Sequence, residues 1–173
     1  MAALTLRLTV ASLLRNNKDV ATLLTACSGF LLAVLWMDLI FDVQVLAHRA
    51  AGEELPEPVL ASIAGYYHRA TTTSQPMSRL IALVMLILLG AVGFQATRGH
   101  DPGWLLAISA GLAGVPMALA LTRTVPNAVR LGHRADSPAV QTRLARSICR
   151  DHLACVGCIF GFLVLWLVRS TAI

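Results

Sequence analysis

Four apolar runs dominate this chain, and each is long enough to cross a bilayer: residues 20–46, 77–95, 104–122 and 150–168. The hydrocarbon core of a membrane is about 30 Å thick and an α-helix rises about 1.5 Å per residue, so about 20 mostly apolar residues span it. The fourth run is short when counted from Leu153 to Val168, and it gains full length by extending back through Cys149–Arg150. No run shows the alternation of a membrane strand, and a lone strand cannot satisfy its backbone in lipid. The expected fold class is therefore all-α: an antiparallel four-helix transmembrane bundle in which residues 20–173 form a single domain. An amphipathic N-terminal segment, residues 1–19, precedes it. Further short amphipathic helices lying in the interface are expected at 56–70 and 137–150, the latter opened by Pro138 at its first helical position.

Composition excludes the other broad classes. Hydrophobic residues make up 57% of the chain and charged residues 13%, whereas a soluble domain carries about 25% charged residues. Too few charges are present to dress a water-facing surface, and apolar material is too abundant for disorder. The net charge of +5 comes from 14 basic against 9 acidic residues, and every basic residue except Lys18 is arginine. No basic run is interleaved with aromatics, so nucleic acid is not an expected partner. The cations belong instead in connections facing anionic headgroups. The expected partner is the lipid bilayer, and the expected location is a multi-pass position in a bacterial inner membrane. A hydrophobic small molecule, partner membrane helices or a second copy of the chain remain open as further partners. Arg49, Arg69 and Arg79 share one side with the six arginines of residues 123–150, against five cations on the other side. The positive-inside rule then places both termini outside, while Arg7, Arg15 and Lys18 ahead of the first span pull the opposite way.

Asp38 and Asp42 are the sharpest chemical feature. Four residues apart, they share one helix face. A carboxylate in the bilayer costs about 2.5–3.5 kcal/mol on insertion scales, so such a pair faces the bundle interior and takes a partner. Arg49, Arg130, Arg150 and His152 are the expected partners. The pair reads as a general base or proton site, or else as a lock on helix packing. Of the five histidines, His152 at the mouth of the fourth helix is the strongest candidate. No HxH or HExxH pair occurs, and a metal site would have to be assembled from Asp38, Asp42, His68 and His152 without the Glu-x-x-His signature of carboxylate bundles. Neither a metal nor another cofactor is expected.

Cys155-Val156-Gly157-Cys158 is a C-x-x-C at the start of a membrane helix, the arrangement of quinone-linked thiol oxidoreductases. Those enzymes add a second cysteine couple in a loop, but Cys27 here lies inside the first span. Small-residue packing explains the segment as well. Gly157 and Gly161 are expected to meet Gly111 and Gly114 of the third helix, with Cys155 and Cys158 reduced and buried. Trp36, Trp104 and Trp166 read as lipid-facing or interfacial anchors. Tyr66-Tyr67 reads as a lid on the bundle or a headgroup contact, and Asn127 as a helix cap or a donor to a substrate oxygen.

Several of these pieces occur in a familiar order. Tyr66-Tyr67-His68-Arg69 is followed by Gln75-Pro76-Met77 leading into the second span. Val125-Pro126-Asn127-Ala128-Val129-Arg130 follows the third span, and His152 enters a glycine-rich fourth. Over roughly residues 20–168 the chain resembles the DUF1772 group of small four-helix membrane proteins, which includes the anthrone oxygenases. At the places where that group commonly carries a Trp and an Arg around the histidine, this chain has Ile148 and Cys155, with Arg150 as a nearby cation. The resemblance implies oxidation of a flat aromatic substrate by oxygen without a dedicated cofactor. A base takes a proton from an acidified C–H, and the delocalised carbanion passes an electron to oxygen. Asp38, Asp42 and His152 would be the catalytic residues. Asn127, Arg130, Arg150 and His68 would bind substrate, with Asn127 and Arg130 stabilising the oxyanion. The rival readings are a non-enzymatic membrane subunit, a thiol redox protein using Cys155 and Cys158, and a proton conductor, for which the second and third runs lack a polar file.

Overall fold

Prolines punctuate the chain at helix starts, where a missing N–H costs nothing. The computed structural model describes residues 17–48, 53–99 and 101–171. Arg49, His100 and the first sixteen residues of the amphipathic N-terminal segment lie outside the described residues. Helix α1 runs Asn17–Asp42 and tightens into a 3-10 turn, Val43–Ala47. Helix α2 spans Glu57–Thr72, α3 Gln75–Arg98 and α4 Gly103–Leu119. A π-helical turn, Ala120–Thr124, leads into α5, Val125–His133, and α6 runs Pro138–Thr171. Pro58, Pro76 and Pro126 sit in the first turns of α2, α3 and α5, and Pro138 opens α6. Gly99 ends α3 in the left-handed conformation, with φ 66°, that glycine adopts without a Cβ clash. Among the described residues every regular element is helical and there is no strand.

Four stretches are long and apolar enough to cross a membrane: Lys18–Ala47, Gln75–Arg98, Gly103–His133 and Pro138–Thr171. The last two are much longer than the apolar runs at 104–122 and 150–168, and the connection expected over 123–150 is largely helix. Two physical reasons account for this. Pro116 lies inside α4 and removes one backbone donor. The helix continues through it and widens further on, directly ahead of Pro126: the Val125 N–H bonds to the Ala120 carbonyl five residues back, and Pro126 then fits the first turn of α5. Downstream, the amphipathic stretch from Pro138 has no helix breaker before the fourth apolar run, so the two join as the single 34-residue α6.

Helix α6 is the spine. It packs along α1, α4 and α5, while α3 lies against α1 and α4, and α2 lies on α5. Two apolar cores result. One gathers Leu24, Leu31, Leu88, Leu105, Ile159, Phe162 and Trp166. The other gathers Leu60, Ile63, Tyr67, Leu131, Ala145 and Ile148.

Close backbone approach occurs at a different glycine from those expected. A Cβ on Gly132 would lie 2.9 Å from the His68 backbone nitrogen and 3.0 Å from its Cα, so this glycine lets α5 seat directly on α2. Gly161 packs on Leu112 across the α4–α6 interface, but a Cβ on Gly111, Gly114 or Gly157 would meet no neighbour within 4 Å. The helical period that turns Cys155, Ile159, Phe162 and Trp166 inward turns Gly157 outward. Trp166 also corrects the anchor expectation, being 1% exposed with its Nε1 donating to the Ser109 hydroxyl at 3.0 Å. Trp36 and Trp104 do project from the surface.

Candidate acid–base site

The two aspartates lie near the C-terminal end of α1, one turn apart and facing α2 and α6. Asp42 is completely buried. One of its oxygens accepts a hydrogen bond from the Tyr67 hydroxyl at 2.7 Å, and the other lies 2.6 Å from His152 Nδ1. That contact places the ring proton on Nδ1, directed at Asp42, and leaves Nε2 on the opposite edge of the imidazole. Nε2 lies 3.9 Å from Asp38 Oδ2. The other Asp38 oxygen accepts from the Tyr66 hydroxyl at 2.5 Å. The imidazole thus stands between two carboxylates, each held by its own tyrosine. The Tyr67 hydroxyl, 3.4 Å from His152 Nδ1, completes the inner edge.

Local sequence explains the convergence. The i, i+4 spacing stacks Asp38 above Asp42 on one face of α1. Tyr66 and Tyr67 are adjacent on α2, so their side chains diverge by about 100° and each reaches a different carboxylate. Phe41 stacks on Tyr66 with ring centroids 4.2 Å apart, which fixes the more exposed of the two phenols. Burial first, and then the charge and hydrogen bond of Asp38, push the Tyr66 phenol up; burial and Asp42 do the same to Tyr67. Both phenols therefore remain donors over the physiological range. They are the chain's only two tyrosines, and both are spent on this cluster.

The cluster forms the polar end of a cavity of about 410 Å3. Asp38 and His152 line it, while Asp42 lies behind the histidine. The cavity sits where the two cores meet, taking Leu31 and Ile159 from one and Tyr67 and Ala128 from the other. Pro116 of α4 and Ala120 and Thr124 of the widened segment after it form another part of its wall. The Thr124 hydroxyl is buried without a hydrogen-bond partner. Thr122 next door bonds back to the Ala118 carbonyl in the ordinary helical way, whereas the Ala120 carbonyl, four residues before Thr124, is engaged by Val125 in the π turn. Such turns recur beside functional sites.

The site residues expected from the sequence divide into two groups. Asp38, Asp42 and His152 come together; of the expected partners among the described residues, His152 meets the aspartates while Arg130 and Arg150 do not, and Arg49 lies outside those residues. The four expected substrate contacts lie elsewhere. Arg130 is exposed and makes a two-pronged ion pair with Asp136, at 2.7 and 2.8 Å. Arg150 is exposed beside Asp151, and His68 is exposed on α2. Asn127 is half-buried on α5 and does not line the cavity. A histidine on the outer face of α2 cannot join Asp38, Asp42 and His152, and among the described residues no cluster of His, Cys, Asp or Glu has a metal-holding arrangement. Cys155 is buried in the cavity wall and Cys158 is half-buried, both free thiols.

Tyr66 and Tyr67 belong to this cluster, although from sequence they read as a lid or a headgroup contact rather than as partners of the aspartates. Their signal was an adjacent pair of amphipathic donors, the only tyrosines present, on a helix preceding a span. No family model, curated protein or solved structure matches this chain.

Proposed function

We propose that this chain is a multi-pass membrane protein, an antiparallel four-span bundle, that performs acid–base chemistry on a lipophilic small molecule. The observation that carries this reading is the placement of His152: Asp42 on one ring nitrogen, Asp38 beside the other, and the imidazole and Asp38 both lining a largely apolar chamber. A neutral imidazole oriented by a buried carboxylate is a general base, and the carboxylate stabilises the imidazolium that forms. Tyr67 holds Asp42 in place, and Asp38, held by Tyr66, stands ready to receive or return the proton.

The finer reading is oxygen-dependent oxidation of an acidified aromatic C–H. Proton removal by His152 Nε2 gives a carbanion delocalised over the rings, and such an anion is oxidised by dioxygen directly. The apolar chamber concentrates both reactants and excludes water from the anion. Anthrone is the natural probe, since one anthrone and one dioxygen give one anthraquinone and one water. In nanodiscs, the wild-type protein should accelerate oxygen uptake with anthrone. His152→Asn and Asp42→Asn should each lower the rate by about 10²–10⁴-fold, the usual contribution of a positioned base. Equal rates in wild type and His152→Asn would end the acid–base reading.

A further inference from the structure

The residues that line the cavity differ in what lies behind them. Nearly all are buried or half-buried, but Gln75, Ser78, Val125 and Val129 both line the cavity and are exposed on the outer surface. They define its mouth. Gln75 and Ser78 belong to the first turn of α3, and Val125 and Val129 lie one turn apart on α5. Both helices belong to stretches long and apolar enough to cross a bilayer, and the neighbouring Leu80 and Leu121 project outward with 42% and 70% exposure. The mouth therefore opens sideways, on the apolar flank of the bundle, with its polar lip at the start of α3.

The charge of the lining sets a second limit. Among the described residues, the ionisable side chains facing the cavity include Asp38 and His152 but no lysine or arginine. The many arginines of this end point elsewhere: Arg130 to Asp136, Arg134 to Glu57, Arg123 to Asp151. A carboxylate or phosphate drawn into the chamber would meet no cation on its wall and would lie beside Asp38. A neutral molecule with one hydroxyl or enolic group meets the imidazole and carboxylate at the polar end, and apolar side chains such as Leu31, Ile81, Met85 and Ile159 along its body.

We infer that the cavity is filled from the bilayer, through the gap between the first turn of α3 and α5, by neutral lipophilic molecules carrying a hydrogen-bonding head, and that it rejects anionic lipids and acids. This rests on the reading of the cavity as the substrate chamber. The test uses the intact protein in phosphatidylcholine nanodiscs with 4-hydroxybenzophenone, a neutral lipophilic photoprobe. Mass spectrometry of the cross-linked peptides should place the label within residues 31–38 and 152–159. 1-Naphthol should suppress that labelling at least about tenfold better than 1-naphthoate at matched concentration in the bilayer, a difference of about 1.4 kcal/mol in affinity. The double variant Val125→Trp/Val129→Trp should slow labelling by closing the mouth. Val125→Ala/Val129→Ala should hasten it, and this small-residue variant keeps the test decisive if the tryptophans disturb folding. Equal competition by naphthoate, labelling indifferent to the width of the mouth, or absence of label at these peptides would each overturn the inference. A wild type that consumes oxygen with anthrone but fails these labelling tests leaves the acid–base reading standing. A His152→Asn variant that labels normally and turns over like wild type removes that reading and leaves the access route intact.

Discussion

Asp42 is out of reach of solvent and ligand alike, so its effect passes through His152. Asp42→Asn keeps an acceptor for the Tyr67 hydroxyl but offers His152 an amide donor. The ring must then carry its proton on Nε2, the nitrogen beside Asp38. The expected outcome is a folded protein with base function lost, visible as an unchanged thermal midpoint alongside the fall in oxygen uptake. The tyrosines supply a pH dependence whose sign is fixed. Both phenols are raised in the folded state, so their contribution to stability is complete below the ordinary tyrosine value of about 10 and is lost as pH rises beyond it. Tyrosinate absorbance should therefore stay flat to about pH 11 and then appear together with loss of helicity. Tyrosinate growing in near pH 10 with helicity intact would contradict the two hydrogen bonds. At this scale the sequence was partly legible. The i, i+4 aspartates announced an inward-facing pair, because carboxylates on a long apolar helix need partners. The partners were not readable, since tyrosine serves equally well as an interfacial residue and as a buried donor, and arginine was the more obvious counter-ion.

Elements were legible where apolar length decides them and illegible where a defect is absorbed. Four runs foretold four long helices. Pro116 foretold an irregularity in this helix, but the helix runs on through it, and the widening falls instead in the turn just before Pro126, which becomes part of the cavity wall. The third–fourth helix contact was foreseen while three of its four glycines were misplaced, because a stripe of small residues marks a face that permits approach without saying which helix takes it. Gly132 carried no such stripe, yet among the described residues it is the glycine with backbone against it. Gly132→Ala should push α5 off the His68 backbone and cost about 1–3 kcal/mol, the range for forced overpacking. Its thermal midpoint in detergent should fall clearly below that of Gly111→Ala, which meets open space; equal midpoints would contradict the α2–α5 seat. The Arg130–Asp136 pair at the α5–α6 turn is a contrasting case. The Arg130 guanidinium holds the Asp136 carboxyl below the usual carboxylate range, so this contact persists until the pH falls through that lowered value. Both partners are solvated, and exposed pairs contribute little. Asp136→Asn should leave the midpoint at neutral pH unmoved, and a large drop would mean that the turn depends on the pair.

The whole molecule places a small polar cluster between two apolar cores, with a chamber opening from it toward the flank of the bundle. Charge scarcity and apolar length pointed to helices able to cross a membrane, and four such stretches are present, while the chamber was invisible in the sequence because it depends on helix rotation and on the seating of α2 over one end. The central claim is that His152 removes a proton from a molecule held in this chamber. The most direct measurement leaves oxygen out: anthrone incubated anaerobically in heavy water with the protein in nanodiscs, and deuterium incorporation at its acidic carbon followed by mass spectrometry. The wild-type protein should speed exchange well beyond empty nanodiscs, and His152→Asn, folded and with its chamber still labelled by the photoprobe, should return it to the background rate. Exchange that is no faster with the wild-type protein than without it, or that is equally fast with His152→Asn, would contradict the account.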